Sequence, residues 1–226
     1  MKRFLLFLAF YPSFALADSN CPALFLHGVE PLTGKRIATL CKEGYAVGFS
    51  KQMKEPLWSS EHLTRTSVLN AQAFRAPQVF HRDTKIASGY QATLADYRKS
   101  GWRKGCLAPS GDMPNKSARR ESFAFTNVIP QNELMSSRIW SKIEFRTRLE
   151  ARTNGDVYAV TGPAFLEHKG TVGRNQIKIP SHIWKAVYDV NQGNGWSVLC
   201  ENNSAPKCKK MPIFELEKKI GITVFG

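Results

Sequence analysis

Acidic side chains are in short supply. Only 18 Asp and Glu stand against 32 Lys and Arg, a formal net charge of +14 over 226 residues. A surplus of this size suits a polyanionic partner such as nucleic acid, anionic lipid or an acidic polysaccharide, or else a basic surface that serves solubility. Long apolar runs are missing beyond the first 17 residues, and nothing there approaches the ~20 residues that span a bilayer. Internal repeats, low-complexity stretches and Pro/Gly-rich linkers are missing too, so a single domain is the economical organisation. With 42% hydrophobic and 22% charged residues, wholesale disorder and collagen-like structure are excluded. The five histidines, His27, His62, His81, His168 and His182, lack metal-ligand spacing and receive no chemistry.

What is present begins with an export-type leader, MKRFLLFLAFYPSFALA. Lys2 and Arg3 precede an apolar stretch, and Ala15-Leu16-Ala17 forms a small-x-small cleavage site. Pro12 interrupts the stretch, which is too short to anchor the chain stably. Cys21 follows Asp18-Ser19-Asn20 instead of a lipobox. The reading is a signal peptide over 1–17 and a mature domain over 18–226, secreted or periplasmic. Export permits disulfides. Among the five cysteines, Cys21–Cys41 and Cys200–Cys208 are the simplest pairs, with other connectivities open. Cys106 is then left over.

The pattern along the chain is mixed α+β. Tyr45–Ser50 and Lys54–Ser59 read as strands, and Glu61–Leu69 as a further strand or a short helix, with Thr64, Thr66 and Val68 favouring the strand. From Asn70 to Gly101 the chain is polar and irregular apart from a short helix over Gln91–Tyr97. Phe123–Ile129 reads as a strand ended by Pro130. Gln131–Arg152 carries a helical stripe of Leu134, Ile139, Ile143 and Leu149. Asn154-Gly155 is a turn. Val157–Thr161, Ile177–Pro180 and Trp184–Asp189 are strands, and Pro212–Ile220 is a closing helix stopped by Gly221.

One segment is distinctive: Asp96-Tyr97-Arg98-Lys99-Ser100-Gly101-Trp102-Arg103-Lys104-Gly105-Cys106-Leu107-Ala108-Pro109. It resembles the signature of the DNA/RNA non-specific endonucleases, the ββα-metal family that includes endonuclease G-like proteins, in which D-Y-x-x-S-G leads into D-R-G-H and L-A-P. Downstream, Thr126–Gln131 followed by Trp140 and Glu144 resembles the family's N-x-x-P-Q and W-x-x-x-E. Val160–Pro163, Ile179-Pro180 and Trp184–Tyr188 resemble its later strands, and a cysteine pair, Pro56–Trp58 and Glu61–Leu63 its opening. The resemblance covers nearly the whole mature chain. It implies an α+β ββα-metal nuclease fold, a central antiparallel sheet flanked by helices, and Mg2+-dependent hydrolysis of DNA or RNA.

The same resemblance locates a departure. The family's general base is the His of D-R-G-H, and Cys106 stands there within Arg103-Lys104-Gly105-Cys106. The family's metal is held by an Asn four residues before the Trp, and Ser136 stands there. A hydroxyl is a poorer ligand than an amide oxygen for a hard cation. Asn132, one turn earlier, would supply a displaced ion or simply start the helix. Glu144 matches the carboxylate near the metal-bound water, or is a solvated helix charge. Asn127 matches an Asn that shapes the site, or serves the strand end. Lys104 replaces an Arg and keeps its charge without bidentate geometry. Arg75 falls where the family clamps the scissile phosphate, with Arg82 competing. Arg103, Arg119, Arg120 and the stretch Lys169–Arg174 add charge around the presumed groove.

Three functions follow. The first is an exported pseudoenzyme that binds nucleic-acid phosphates with hydrolysis lost or strongly impaired. The second is an active endonuclease with a site rebuilt from Cys106, Asn132 and Glu144. The third is a non-catalytic interaction subunit of the cell envelope with an acidic protein partner. The resemblance also raises a homodimer, since relatives often dimerise.

Overall fold

The computed structural model describes residues 20–73 and 77–226. The leader expected over 1–17 and Arg75 therefore lie outside the described residues. A short strand β1 (Leu32–Thr33) precedes β2 (Ala38–Cys41), β3 (Ala46–Ser50) and the long β4 (Glu55–Thr64). Helix α1 (Arg65–Gln72), helix α2 (Leu94–Tyr97), β5 (Arg103–Cys106), α3 (Lys116–Glu121) and β6 (Val128–Gln131) come next. A π-helical turn over Met135–Trp140 runs straight into α4 (Ser141–Asn154). The chain then lays down β7 (Asp156–Ala164), the small β8 (Thr171–Val172) and β9 (Ile177–Lys178), β10 (His182–Asp189), β11 (Asn194–Glu201) and β12 (Cys208–Met211). It closes with α5 (Ile213–Ile220) and β13 (Ile222–Thr223).

Seven strands form the central antiparallel sheet in the order β12-β11-β10-β7-β4-β3-β2. Strands β4, β7 and β10 are buried along nearly their whole length, as strands covered on both faces must be. Side chains alternate across a strand, so each face has its own composition. Trp58, Val160, Trp184, Ala186 and Leu199 point one way, onto Leu216 of α5 and onto Phe25 and Val224 near the chain ends. Leu63, Val157, Ala159 and Val187 point the other way, onto Val68 of α1 and Ala151 of α4. On that second face Ile183, Val198 and Cys200 also meet Ile129, Met135 and Trp140. Where two tryptophans lie across neighbouring strands, glycine makes room: a Cβ on Gly48 would lie 2.2 Å from the Trp58 ring, and one on Gly162 2.4 Å from that of Trp184.

Disulfides join Cys21 to Cys41 and Cys200 to Cys208, and Cys106 is free. Three elements depart from the sequence reading. The strand expected over Glu61–Leu69 stops at Thr64, which caps α1: Ser67 N–H donates to Thr64 Oγ1 (3.1 Å) and Thr64 N–H to Ser67 Oγ (2.9 Å). That capping box overrides the β-branched residues that follow it. The strand expected over Phe123–Ile129 begins only at Val128, after a 3-10 turn over Phe125–Asn127, and continues through Pro130. Proline is tolerated because β6 pairs with β5 alone. The long helix expected from Gln131 is divided by the π-helical turn.

Candidate functional site

Strands β5 and β6 pair antiparallel beside the central sheet, with Lys104 opposite Pro130 and Cys106 opposite Val128. The chain then passes into the π-helical turn and α4, completing a ββα unit. Gly105 is required by the close approach of the two strands: a Cβ there would lie 2.2 Å from Gln131 Oε1. Asn127 fastens the loop that follows β5. It accepts from Ala108 N–H (3.0 Å) and donates to the carbonyls of Ala108 (2.9 Å) and Ser122 (2.8 Å). Fully buried and committed to backbone, Asn127 sets the shape of the site.

Strand alternation sends Lys104 and Cys106 to one face and Arg103 to the other. Arg103 lies 3.5 Å from Glu133 in an exposed ion pair, which takes its charge away from Cys106. The Lys104 ammonium sits over Phe80, 5.0 Å from the ring centroid, and 5.9 Å from that of Tyr97. Cys106 is partly buried against the cluster containing Tyr97, Phe125 and Val128. Burial, and secondarily the Glu144 charge, push its thiol up to about 12. At neutral pH the sulfur is therefore protonated and offers neither thiolate nor base. Arg103 and Lys104, close in sequence, do not offset this.

Glu144 lies on the inward side of α4. Burial first, and the Asp112 charge second, raise its carboxyl to about 7, against the lowering pull of Lys185 and Arg148. Ser136 is partly buried in the π-helical turn, and its N–H donates to Asn132 O (2.9 Å). Asn132 is a helix-start residue: its Oδ1 accepts from the N–H groups of Leu134 (3.0 Å) and Met135 (3.3 Å). Both lone pairs of that oxygen are used, which leaves none for an ion. Among the described residues, no group of three or more His, Cys, Asp or Glu is placed to hold a metal. A hydroxyl and a satisfied amide are poor ligands for a hard divalent cation.

The sequence reading missed the layer beneath this site. Arg148, one helical turn beyond Glu144, donates from Nη1 to Asp112 Oδ1 at 2.6 Å. Lys185, fully buried on β10, donates to Thr161 Oγ1 at 2.6 Å, and Thr161 is its register neighbour on β7. Among the described residues, neither carboxylate oxygen of Glu61, fully buried on β4, has a hydrogen-bond partner, and Asp112 Oδ2 likewise has none. Burial raises the Glu61 carboxyl well above the ordinary range, and Asp112 adds to the rise. Burial also opposes the Arg148 charge, but the Asp112 carboxylate more than restores it. Glu144, Asp112 and Glu61 thus share two cations. An ionisable residue on a central strand buried along nearly its whole length, as Glu61 and Lys185 both are, is where such a layer forms.

The other expected groove charges divide. Arg119 is buried and structural, donating Nε to Ser110 O (2.9 Å) and a guanidinium N–H to Ala71 O (3.0 Å). It is therefore a brace between the loop after β5 and the end of α1. Arg82 and Arg120 are exposed. Lys169 lies 3.0 Å from Glu167.

The family model described as DNA/RNA non-specific endonuclease matches residues 27–225. Nuclease C1 of Cunninghamella echinulata var. echinulata is 29% identical over 205 residues, covering 81% of this chain and 81% of its own. The mitochondrial nuclease EXOG of Xenopus laevis is 30% identical over 175 residues, 73% of this chain and 48% of its own. Mitochondrial endonuclease G of Bos taurus is 30% identical over 173 residues, 72% of this chain and 55% of its own. The chain thus spans about half the length of these two mitochondrial relatives. A crystal structure of the EndoG/EndoGI complex shares the fold, with a TM-score of 0.72 over 83% of this chain and 85% of that one at 22% identity. This chain belongs to the DNA/RNA non-specific endonuclease family.

Proposed function

We propose that this protein is an exported member of the family that binds nucleic-acid phosphates and has lost, or nearly lost, their hydrolysis. The observation that carries the reading is Cys106, a thiol raised to about 12 at the position of the general base. A positioned base contributes roughly 10²–10⁴-fold to such a reaction, and a neutral thiol supplies none of it. The donors around Ser136 fit a metal poorly, so Lewis-acid assistance is weakened as well. Phosphate contact falls to Lys104 and to Arg75, with exposed basic residues around the groove adding charge. Contacts of this kind fix position without reading sequence. Export is supported by the leader over 1–17 and by two disulfides.

Restoration tests the reading. The full chain should bind single- or double-stranded nucleic acid with an affinity that falls steeply with salt, and should not cleave it with Mg2+ or Mn2+. The double variant Cys106→His/Ser136→Asn, with Arg103→Asp as a third change, should gain metal-dependent cleavage. Robust cleavage by the unaltered chain would sink the proposal. A second reading has one observation in its favour: a Glu144 carboxyl at about 7 is poised for general-base work near neutral pH. If the site is rebuilt around it, Glu144→Gln abolishes cleavage that Cys106→Ser leaves intact.

A further inference from the structure

The helical segment from Leu134 to Arg152 has a second side, which turns away from the site. Met135, Trp140, Thr147 and Ala151 are buried, and Glu144 and Arg148 face inward with them. On the opposite side Leu134, Arg138, Lys142, Phe145, Leu149 and Arg152 follow one another at intervals of three or four residues, the spacing of one helix face. All six are exposed, Phe145 to 61%, Leu149 to 49% and Leu134 to 37%. None of the three cations has an ion-pair partner among the described residues. The carboxylates of the segment are off this side: Glu133 pairs with Arg103, Glu144 faces the interior, and Glu150 accepts from Trp196 Nε1 at 2.8 Å. The result is three large apolar side chains interleaved with three unpaired cations and no acid.

We infer that this stripe docks the protein on an anionic phospholipid bilayer. The chemistry selects that occupant. Phospholipid headgroups supply negative charge to Arg138, Lys142 and Arg152, and the acyl boundary just beneath them takes Leu134, Phe145 and Leu149. Nucleic acid satisfies the cations, but Leu134 and Leu149 find an apolar partner there only by wedging between base steps, which costs unstacking, whereas the acyl boundary takes both without that cost. A second copy of this chain in an isologous contact brings like charges together. The stripe also lies on the same helix as Glu144 and Arg148, so docking holds the candidate site at the membrane surface without covering its inward face.

The test is co-sedimentation of the full chain with vesicles of mixed phosphatidylglycerol and phosphatidylcholine, against phosphatidylcholine alone. Binding is expected only to the anionic vesicles, and weakening with salt. The double variant Phe145→Ser/Leu149→Ser should lose at least about tenfold in vesicle affinity, as expected when two inserted apolar side chains are removed. Its nucleic-acid affinity should stay unchanged. Because the leader is common to both proteins, the difference between them reports the stripe alone. As a check independent of that variant's folding, Phe145→Trp should show fluorescence quenching by brominated anionic lipid beyond that of the unaltered chain. The inference is overturned if the unaltered chain ignores anionic vesicles, if the double variant binds them equally well, or if it instead loses nucleic-acid binding or self-association.

Discussion

The two faces of the central sheet are built from the same four or five strands and filled with opposite materials. On the α5 side, Trp58, Val160, Trp184, Ala186 and Leu199 pack against Leu216 in an apolar layer. On the α4 side, the apolar groups are interrupted by Glu61 and Lys185 from the sheet, Arg148 and Glu144 from the helix, and Asp112 from the loop between them. The first face is stabilised by removing apolar area from water, at about 25 cal/mol per Å². The second incurs desolvation and recovers it only through pairing. A strand buried on both sides can therefore serve as wall for two different solvents, and the charged one lies directly beneath the candidate site.

Breaking one partner of the charged layer should give the largest effect. Arg148→Leu leaves Asp112 buried and unpaired, and a loss of about 3–5 kcal/mol is expected in urea denaturation. Leu216→Ala probes the opposite face. It should cost about 2–5 kcal/mol by the transfer and cavity terms together, with the same cost at every pH between 4.5 and 7. If its cost follows pH, the two faces are not independent.

A smaller effect comes from the titration of Glu144. Its folded pKa, about 7, lies above the ordinary glutamate value of 4.5. The folded state therefore binds more protons than the unfolded one between those values, and stability falls as pH rises. The contribution is fully present below 4.5 and lost as pH passes through about 7. Glu144→Gln should remove that decline, which paired denaturation curves at the two ends of the window would reveal. The smallest effect is expected at Glu61. Its raised carboxyl favours the protonated form, which Gln imitates in shape, so Glu61→Gln should change stability at neutral pH by no more than about 1 kcal/mol. A large loss there would mean that an ionised Glu61 holds Lys185 in place.

Much of the fold was legible because segments such as Asp96–Pro109 and Thr126–Gln131 resemble the family's motifs in order and spacing, and the structure shows what those residues do there. Gly105 must admit Gln131, and Asn127 must reach Ala108. The cysteine pairs took the simplest of the connectivities that the sequence left open. What escaped was set by partners distant in sequence. The capping box of Thr64 and Ser67 decided a segment read as strand or short helix, ending the strand at Thr64 and starting α1. Arg119 was read as groove charge because nothing near it reveals the carbonyls of Ser110 and Ala71. Arg103 was placed beside Cys106 by sequence adjacency, whereas strand alternation sends it to Glu133. Glu61 and Lys185 escaped because a charge inside a strand is ordinarily read as facing water.

The free sulfur of Cys106 has one more consequence. The other four cysteines are tied up in two bridges, so a thiol-specific reagent has a single target in this chain, at the end of β5 opposite Val128. Because the thiol is partly buried and its pKa is pushed up to about 12, its labelling rate becomes a clock for how often this end of β5 is laid open to water. Any ligand that covers Cys106 should slow that clock in proportion to its occupancy.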